Sequence, residues 1–506
     1  MATLTPLDDT HGFTAGDLDT SGQVAWQPAY QKIYIADGRP YSDDINDSGY
    51  HILDFINTRL VGASTGGSFQ HGDVVTQATS GASGVFDEVV DRGSGVTWNL
   101  IYRTTTVEFD TTNAITSADR PGVSLTPSAV VSPPHWLNWT LEAGTFPDGG
   151  SNVMSLCWGR VFLNSLSNPH QWFGTRKSNP RDLLLVQDDV ASAINSQAQD
   201  QSGLVGDQIV AYIPYIGNYQ IFGCINTMYV LRADPASGGK FSKLCDSSGI
   251  FGSTAWCWDD KGNLYWLGND GIYVVSAETI LTGGSALNIT KEHLPLLVND
   301  MGLNRRTDRV TMAYDKDRYG IQVSVSQFDR TWSAVFWIDL RTGGLFPDRY
   351  NDDHVPASLY YFDARRRADR KLLAGCYDGY IRNWSNDQKT DDGETIVSKA
   401  VIGPITSDDL KLKVKLNELA IKTGLDTDTL SVGLYAATTA SKLIEMMRSE
   451  ATPKIVKTFL GNRLMPSLRQ IISDGALGIL LFNDTNDSTW SIEEIDADLS
   501  ESGRIK

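Results

Sequence analysis

Short aromatic strands that each end in a polar turn recur along most of this chain. The six segments are KIYIADG, RVFLNSL, TMYVLRA, GIYVVSA, AVFWIDL and GYIRNWS, which begin at Lys32, Arg160, Thr227, Gly271, Ala334 and Gly379. The last four begin 44, 63 and 45 residues apart. A four-stranded propeller blade needs about 40 to 45 residues, so two steps match one blade and the third matches a blade with an insertion. The repeat predicts an all-β chain with a β-propeller of about six blades, within a range of five to seven.

One stretch shows the repeat most clearly. In STAWCWDDKGNLYWLGNDGIYVVSA, three strands are separated by residues 260–263 and by residues 269–271. Both separators are rich in Asn, Asp and Gly, which tolerate the positive φ that tight hairpin turns require. The pattern therefore predicts three consecutive antiparallel strands.

The composition agrees with strands joined by tight turns. The 506 residues include 46 Gly, 13 Trp and 19 Tyr, and 41% of the residues are hydrophobic. Aromatic residues favour strands, and a chain of this length can bury a large core. The formal net charge of −18 argues against a protein that clamps duplex DNA, because it would repel the phosphate backbone.

Changes in pattern along the chain predict four regions. Residues 1–63 form an N-terminal segment and the first blade, and residues 121–387 form the remaining blades. Between them, residues 64–120 form an inserted small β-module, because 71–116 alternates with period two between Ser-Gly and Asp-Arg-Gly turns. After a charged linker, alternating strands predict a β-sandwich-like C-terminal module over residues 388–506.

Two segments are expected to depart from the strand pattern. Residues 182–201 are interpreted as a helical or loop-like connection between two blades across one face. In SALNITKEHLPLLVNDMG, a short helix is predicted because four apolar residues share one helical face before a glycine. These residues are Leu294, Leu297, Val298 and Met301, with Gly302 after them.

The cysteines and the N-terminus indicate where the chain is made. The five cysteines lack CxxC spacing and are predicted to be reduced core thiols: Cys157, Cys224, Cys245, Cys257 and Cys376. The N-terminal residues have neither a basic region nor an apolar region typical of a signal peptide, and no run of 18 apolar residues occurs. Synthesis in a cytoplasm, without membrane insertion, is therefore expected.

Several segments resemble a known group of proteins. The runs GDQIVAYIPYIGNYQIFGCINTMYVL, GIFGSTAWCWDDKGNLYWLGNDGIYVVSA, TMAYDKDRYGIQV and WSAVFWIDLRTGGLF are similar to β-propeller structural proteins of tailed-phage virions. That group includes packaged-DNA-stabilisation and tail-nozzle proteins, and the resemblance covers roughly residues 150–390. GDVVTQATSGASGVFDEVV resembles a β-module that recurs in phage virion proteins, and LFNDTNDSTWSIEEIDADLSESGR resembles their closing strands.

The resemblance implies a structural role. It implies a virion tail nozzle, hub or head-to-tail connector subunit that supports DNA retention and passage or fibre attachment. The expected partners are other virion proteins and further copies of the chain in a homo-oligomeric ring, with at most passive contact with translocating DNA. The inserted module at 71–116 and the C-terminal module from 388 are expected to make the subunit contacts. The resemblance supplies no catalytic, cofactor-binding or metal-binding residues.

The residue patterns of common enzymes and metal sites provide no chemistry that would contradict a structural role. The patterns GxSxG, HExxH, Walker A and GxGxxG after a strand are absent, so the chain is not expected to be an enzyme. The carboxylate pairs are interpreted as turns or solvated loops: Asp43-Asp44, Asp188-Asp189, Asp259-Asp260 and Asp352-Asp353. Residues 259–263 could hold calcium but lack EF-hand spacing. The seven histidines, at positions 11, 51, 71, 135, 170, 293 and 354, show no zinc-ligand spacing.

Two further groups allow a functional and a structural interpretation. The densest basic run consists of Arg365, Arg366 and Arg367 with Arg370 and Lys371. It is either a binding patch for a partner or a nucleic acid, or a solvated hairpin loop, and the loop is preferred. Six tryptophans are interpreted as core between blades rather than as a sugar platform: Trp256, Trp258, Trp266, Trp332, Trp337 and Trp384.

Two alternatives to the virion role stay open. The first is a propeller that binds or depolymerises carbohydrate at a host surface, which would need converging carboxylates and exposed aromatic residues at a channel mouth. The second is a cellular propeller interaction module, which would lack the phage-like insertion at 71–116. Turnover of host polysaccharide would distinguish the first alternative from a structural subunit.

Overall fold

The computed structural model describes residues 7–91, 96–197, 203–215, 219–282, 285–291, 299, 301–385, 388–409, 412–460, 467–468 and 472–504. The chain divides into two compact units. The first unit comprises Met1–Phe346 and Pro356–Leu372, and the second comprises Pro347–Val355 and Leu373–Lys506. Strands dominate both, so the all-β class expected from the sequence is confirmed. The region boundaries at 63, 120 and 387 remain predictions.

The N-terminal part of the first unit contains two antiparallel sheets. Its strands are β1 (Ala25–Ala29), β2 (Lys32–Ala36), β3 (Tyr50–Asp54), β4 (Asn57–Val61), β5 (Val74–Gln77), β6 (Ala82–Asp91), β7 (Thr97–Arg103), β8 (Ile115–Ser117), β9 (Ser124–Leu125), β10 (Ala129–Val131) and β11 (His135–Asn138). The first sheet has the order β1-β2-β3-β11. The second, here called the inserted sheet, has the order β10-β4-β7-β6-β5-β8-β9. The chain thus leaves the first sheet after β3 and returns to it as β11.

The rest of the first unit forms further sheets in chain order. The strands are β12 (Met154–Cys157), β13 (Arg160–Asn164), β14 (Trp172–Gly174), β15 (Ile194–Asn195), β16 (Ile209–Tyr215), β17 (Tyr219–Cys224), β18 (Met228–Arg232), β19 (Lys240–Cys245), β20 (Trp256–Trp258), β21 (Leu264–Leu267), β22 (Ile272–Val275), β23 (Leu287–Asn288), β24 (Asp308–Asp315), β25 (Gly320–Gln327), β26 (Ser333–Asp339), β27 (Leu345–Asp348, which ends in the second unit) and β28 (Pro356–Phe362). Sheets β12–β15, β16–β19 and β20–β23 each have four strands that pair in sequence order, and β24, β25 and β26 pair in the same way.

Consecutive sheets of the first unit contact one another. Ser155 on β12 donates a hydrogen bond to the Gln220 side chain on β17 at 3.0 Å. Thr254, just before β20, donates to the carbonyl of Val310 on β24 at 2.6 Å. Buried aromatic and aliphatic side chains fill the space between the sheets, including one cluster that spans β16 to β26. The core therefore lies between sheets, where each sheet covers the apolar face of the next.

The six recurring segments of the sequence all contain strands, and each strand lies in a different sheet. The first two segments contain β2 and β13, the second strands of their sheets. The next three contain β18, β22 and β26, the third strands of theirs. The sixth contains β30 (Ile381–Asn383). The repeat thus located one strand in each of six sheets, while the number of blades remains a prediction.

The predicted hairpin turns are confirmed in β20, β21 and β22. Trp258 pairs with Leu264 across the first turn, and Leu267 pairs with Ile272 across the second. Gly262 has a φ of +77°, a left-handed conformation that a side chain would strain. The turn at 260–263 therefore forms where the sequence placed it.

Two segments were expected to depart from the strand pattern, and the structure describes most of the first but not most of the second. The segment 182–201 was expected to join two blades, but its described part joins β14 to β15 within one sheet. Residues 182–190 form an irregular loop that contains no described strand, and an isolated bridge pairs Asp182 with Ala143. The helix predicted over Leu294, Leu297 and Val298 lies outside the described residues. A short helix, α1 (Ala277–Thr282), precedes that region.

The second unit contains two sheets around one apolar cluster. Its elements are β29 (Lys371–Cys376, which begins in the first unit), β30, β31 (Thr390–Asp391), β32 (Glu394–Thr395), β33 (Ser398–Thr406), β34 (Leu412–Thr423), β35 (Thr429–Ala437), α2 (Ala440–Arg448), β36 (Ile455–Leu460), β37 (Ser467–Leu468), β38 (Ile472–Asp474), β39 (Ala476–Asn483) and β40 (Ile492–Arg504). One sheet has the order β33-β39-β35-β36; in the other, β34 pairs with β37, β38 and β40. Side chains of both sheets form the cluster, among them Leu419, Val432 and Ile479.

Helix α2 covers the outer side of one of these sheets. The hydroxyl of Thr439 accepts a hydrogen bond from the backbone N–H of Lys442 at 3.3 Å and so caps the start of the helix. Leu443 is fully buried against Tyr435 and Ala476. Four short 3₁₀ turns complete the described elements of the chain: Asp9–His11, Pro235–Ser237, Asp352–His354 and Arg367–Asp369.

Candidate functional site: two exposed loops of the first unit

Four large aliphatic side chains are exposed on the loop of residues 182–190, which we call the apolar loop. The exposed fractions are 48% for Leu184, 43% for Leu185, 45% for Val186 and 61% for Val190. Single exposed apolar residues are normal, but adjacent ones mark surfaces that contact another molecule. The apolar loop is therefore the first part of the candidate site.

The backbone behind the apolar loop is held by the fully buried guanidinium of Arg160. It donates to the carbonyl of Val190 at 2.7 Å, to that of Thr175 at 2.9 Å and to that of Ser192. Arg160 also forms an ion pair with Asp234, with 3.3 Å between Nε and Oδ2. One buried side chain thus supplies the donors that this irregular backbone lacks.

Further hydrogen bonds fix the shape of the apolar loop. The Ser192 hydroxyl donates to the carbonyl of Leu184 at 3.0 Å and accepts from the N–H of Val186 at 2.6 Å. Hydrogen bonding by the Ala191 N–H and the ion pair with Arg176 lower the pKa of Asp189 despite some burial. The aliphatic side chains are therefore presented on a backbone with a defined conformation.

The second part of the candidate site is the loop of residues 363–370, which we call the arginine loop. Arg365, Arg366 and Arg367 are all exposed there. Arg370 closes the loop through an ion pair with Asp363, with 2.9 Å between Nε and Oδ1. The structure thus places the basic run on an exposed loop, as the preferred interpretation of the sequence expected.

Exposed aromatic side chains lie beside the arginine loop. Tyr360 and Phe362 on β28 are 57% and 46% exposed, and they occupy alternate positions of the strand. The N–H of Leu359 donates to the hydroxyl of Thr311 at 3.2 Å, which attaches β28 to the sheet of β24. The arginine loop and these two rings together form a basic, aromatic surface.

The carboxylate pairs singled out in the sequence lie in turns. Asp259 accepts hydrogen bonds from the N–H groups of Lys261 and Asn263 at 2.9 and 2.8 Å. Its neighbour Asp260 lies 3.8 Å from the ammonium group of Lys316. Asp259 thus caps a hairpin turn with both of these N–H groups.

The other three pairs also engage nearby groups. Asp44 accepts from the N–H of Asn46 at 3.0 Å, and the hydroxyl of Tyr41 donates to Asp43 at 2.9 Å. The pair Asp188-Asp189 belongs to the apolar loop. The pair Asp352-Asp353 begins a short 3₁₀ turn in the second unit. The turn interpretation therefore fits the positions of all four pairs.

Six of the seven histidines are described, and His293 lies outside the described residues. His51 is buried and stacks on Trp136 with ring centroids 4.6 Å apart. Burial lowers the pKa of His51 to about 4 and has the same effect on the pKa of the buried His135. In the part of the chain that the structure describes, no group of three His, Cys, Asp or Glu residues could hold a metal ion.

The cysteines and most of the tryptophans belong to the core. All five cysteines are free and buried, as expected, and burial raises the pKa of Cys157 to about 12. Trp266 is fully buried and stacks on Tyr273 at 5.5 Å, and Trp256 and Trp258 pack against the same cluster.

The core interpretation does not hold equally for the other three tryptophans. It is wrong for Trp332, which is 36% exposed next to the turn that joins β25 to β26. Trp337 is half-buried beneath Arg318, whose guanidinium carbon lies 4.2 Å from the ring centroid. Trp384 lies in the second unit and donates to the Tyr350 hydroxyl at 2.7 Å.

A buried polar network joins the first sheet to the inserted sheet. The Lys32 ammonium lies 2.9 Å from the carboxylate of Asp87 and 3.3 Å from that of Asp54. The Asn57 side-chain amide donates to both carboxylates at 2.7 Å. Burial alone would lower the pKa of Lys32, but the two carboxylates outweigh it and raise that pKa. The network consists of paired charges and therefore acts as a connection within the fold.

A cavity of about 280 Å³ lies between the sheet of β20 to β23 and the sheet that contains β24 to β26. Its wall is mostly apolar, with Val274, Ile338 and Leu340 among its members. The hydroxyl of Thr290 accepts from the N–H of Ile272 at 3.0 Å, and that of Tyr265 donates to Asp259 at 3.4 Å. Its polar groups are therefore engaged within the protein.

Sequence reasoning missed the apolar loop. Its signal was the run Leu183 to Val186, four consecutive apolar residues between Asp182 and Gln187, which has neither strand alternation nor helical spacing. Such a run is usually buried, and only its three-dimensional position shows the exposure. In addition, no helix among the described residues is long and apolar enough to cross a membrane.

Comparisons with known proteins identify no family for this chain. No protein-family model and no curated protein sequence matches it. Hsv2 from Kluyveromyces lactis is 8% identical over 65% of this chain and 97% of its own, with a TM-score of 0.25. The extracellular domain of a provisionally assigned one-component system from Bacteroides thetaiotaomicron is 10% identical over 89% of this chain and 59% of its own, with a TM-score of 0.31.

A third similar structure is a structural-genomics protein of unknown function from Bacteroides thetaiotaomicron. It is 10% identical over 72% of this chain and 87% of its own, with a TM-score of 0.28. All three TM-scores lie below 0.5. These similarities therefore support no conclusion about the function of this chain.

Proposed function

We propose that this chain is a non-enzymatic structural subunit of a tailed-phage virion, part of the tail nozzle, the hub or the head-to-tail connector. In this role residues 1–63 and 121–387 form a β-propeller of about six blades, and copies of the chain assemble around the tail axis. The assembly supports DNA retention and passage or the attachment of fibres. The proposal starts from the resemblance of residues 150–390 to phage propeller proteins.

One observation carries the proposal: the order in which the sheets of the first unit meet. Each sheet contacts the next along the chain, and the guanidinium of Arg309 on β24 donates to the carbonyl of Gly22, just before β1, at 3.3 Å. A succession of antiparallel sheets that returns to its start has the connectivity of a propeller, which leaves few sheet edges exposed. Such a body suits a component that must withstand force without polymerising at random.

The arrangement of the acidic residues favours a structural role over an enzymatic one. Glycoside hydrolysis requires two carboxyl groups that face each other about 5 to 10 Å apart across a substrate. Asp259 caps a turn, Asp260 lies near Lys316, and Asp43 accepts from a tyrosine of its own loop. Substituting Asp259 or Asp260 by Asn should therefore change folding at most, and purified protein should not depolymerise host polysaccharide.

Localisation in particles tests the proposal. Virions purified from the producing culture should contain the chain in several copies, and antibody-labelled particles should show it at the tail or at the head-to-tail junction in electron micrographs. Absence of the chain from purified virions would refute the proposal. Polysaccharide turnover that disappears with one carboxylate substitution would replace it by the carbohydrate-depolymerising alternative.

A further inference from the structure

We propose that the apolar loop and the arginine loop are the two halves of one head-to-tail contact between copies of this chain. The apolar loop of one copy packs against the arginine loop and the adjacent rings of the next. The inference rests on the proposed function, because a ring of copies requires a contact of this kind. The two loops are the surfaces that make this contact.

The apolar parts of the two surfaces fit each other. Leu184, Leu185 and Val190 are exposed on one surface, and Tyr360 and Phe362 on the other. Packing aliphatic side chains against aromatic rings removes apolar area of both from water, which favours association by about 25 cal/mol per Å². Aromatic residues and arginine are also the residue types enriched at protein interfaces.

The charges of the two surfaces are opposite. Asp188 is exposed at the tip of the apolar loop, and Arg365, Arg366 and Arg367 are exposed on the arginine loop. In a chain with a formal net charge of −18, most surfaces of two copies repel each other. The arginine loop carries the densest basic run, so it is the surface best suited to receive an acidic neighbour.

Opposite charge also sets the geometry of the contact. Two apolar loops facing each other would bring Asp188 against its own copy, and two arginine loops would bring six guanidinium groups together. The loops lie on different sheets, since one joins β14 to β15 and the other follows β28. A contact between two different surfaces is heterologous, and it generates a closed ring when the rotation between copies allows closure.

Both surfaces are ordered before they meet. Arg160 and Ser192 hold the apolar loop from behind, and the ion pair between Arg370 and Asp363 closes the arginine loop. A preformed surface loses little conformational entropy on binding, so more of the interaction contributes to affinity. This order distinguishes the apolar loop from an incidentally exposed stretch.

The contact is small when considered alone. Two loops cover much less than the roughly 800 Å² per partner of a standard interface. Association of free copies should therefore be weak and should increase with concentration. In a closed ring the same contact occurs once per copy, so all of these contacts together hold the ring. Covalent trapping is suited to a weak contact, and all five natural cysteines are buried, so an introduced surface thiol can be oxidised selectively.

The test uses three single variants of the full chain: Leu185→Cys, Arg366→Cys and, as an exposed control outside both loops and both added modules, Leu287→Cys, whose native side chain is 65% exposed. Pairs of variants, one of each pair carrying a size tag, are mixed and oxidised by copper phenanthroline with dioxygen, which accepts the two electrons released by the thiols. Leu185→Cys with Arg366→Cys should yield tagged–untagged disulfide dimers at least about tenfold faster than Leu185→Cys with Leu287→Cys, a ratio that corresponds to a preference of about 1.4 kcal/mol.

Two outcomes would overturn the inference. The first is equal cross-linking of the two mixtures. The second is a predominance of Leu185→Cys dimers with themselves, which would indicate a symmetric contact. A second measurement does not depend on cysteines: the sedimentation coefficient of the unchanged chain should rise with concentration, and Leu185→Lys should abolish the rise because it places an ammonium group in the apolar contact, against the arginines of the next copy. Persistence of the rise in Leu185→Lys would count against the apolar loop.

Charge exchange sharpens the assignment. Added to Leu185→Cys and to Arg366→Cys respectively, Asp188→Arg and Arg365→Asp should each slow the cross-linking of the loops a few-fold, as expected for a rim ion pair. Mixing copies that carry opposite exchanges should restore the rate, and failure to restore it would contradict the pairing of these charges. If virions contain the chain but this cross-link does not form, the contact is refuted and the proposed function stands. If the cross-link forms but virions lack the chain, the proposed function is refuted and the contact stands.

Discussion

Charged side chains are buried inside the first unit, whereas in the second unit every described charged residue is at least partly exposed. Arg160, Asp54 and Asp234 in the first unit are almost completely buried. In the second unit, the ion pairs Lys389–Asp428 and Lys422–Glu493 have both partners about 40 to 51% exposed. The two units therefore differ in which groups pair with the polar atoms of their buried backbone.

The difference follows from their connections. The first unit contains a long irregular segment between β14 and β15 of one sheet, and the buried Arg160 donates to several of its carbonyl groups at once. The second unit packs two sheets face to face, where strand pairing satisfies the backbone and aliphatic side chains fill the interior. Buried charge thus marks where the chain departs from regular pairing.

The largest effect should come from removing a buried connector. Arg160→Met should lower the free energy of unfolding of the first unit by about 3 to 5 kcal/mol, because Asp234 loses one partner and several buried carbonyls lose their donor. Guanidinium denaturation measures the loss, and hydrogen exchange should increase at 182–195. The control Lys243→Met removes an ion pair with Asp246 whose side chains are 59% and 66% exposed, and it should leave the denaturation midpoint unchanged. Equal effects of the two variants would contradict the comparison.

A core substitution should be the most damaging change in the second unit. Leu419→Ala removes a fully buried side chain on β34 and should lower the free energy of unfolding of this unit by about 2 to 5 kcal/mol. The matched control is Leu425→Ala, where the native side chain is 85% exposed. Thermal unfolding followed by circular dichroism distinguishes them. A large loss in the control would mean that the exposed leucine contributes to stability in a way that burial does not explain.

The first unit should also lose stability in mild acid. The pKa values of His51 and His135 are about 4 in the folded chain, against a reference value of 6.5. The unfolded chain therefore binds protons first, so stability is complete above pH 6.5 and declines as the pH falls towards 4. Each histidine should account for about 2 kcal/mol between pH 6.5 and pH 5.

Substitution isolates this pH effect. His51→Phe preserves stacking on Trp136 and should reduce the decline by about half, measured as the free energy of unfolding at pH 7.5 and pH 5. His71→Asn, at a side chain that is 81% exposed, should leave the decline unchanged. If His51→Phe behaves like His71→Asn, burial of His51 is not the cause.

The smallest effect should come from a surface ion pair of the second unit. Lys422 and Glu493 are 2.6 Å apart and both 51% exposed, so water and salt screen their attraction. Lys422→Met should have a thermal midpoint indistinguishable from that of the unchanged chain at physiological salt. A clear loss would show that surface charge stabilises the second unit as buried charge stabilises the first.

Local patterns placed strands and turns well. Each of the six recurring segments contains a strand of a separate sheet, and the turn at 260–263 was located because Asp259 and Gly262 have conformational preferences that act over a few residues. Trp332 shows the limit of such patterns. It lies at the start of an alternating strand, as buried tryptophans do, but its environment depends on which elements cover that end of the strand.

The sequence by itself determined the all-β class, the position of one strand in each of six sheets, the reduced cysteines and the turn role of the paired carboxylates, since each depends on a residue and its near neighbours. Only the tertiary structure decided that Arg160 lies behind the apolar loop, that Lys32 joins two sheets, and that Leu185 is exposed while Leu183 is buried. These contacts join residues that are far apart in the chain. Burial and ion pairing depend on all the elements that surround a side chain, and no local pattern encodes those elements.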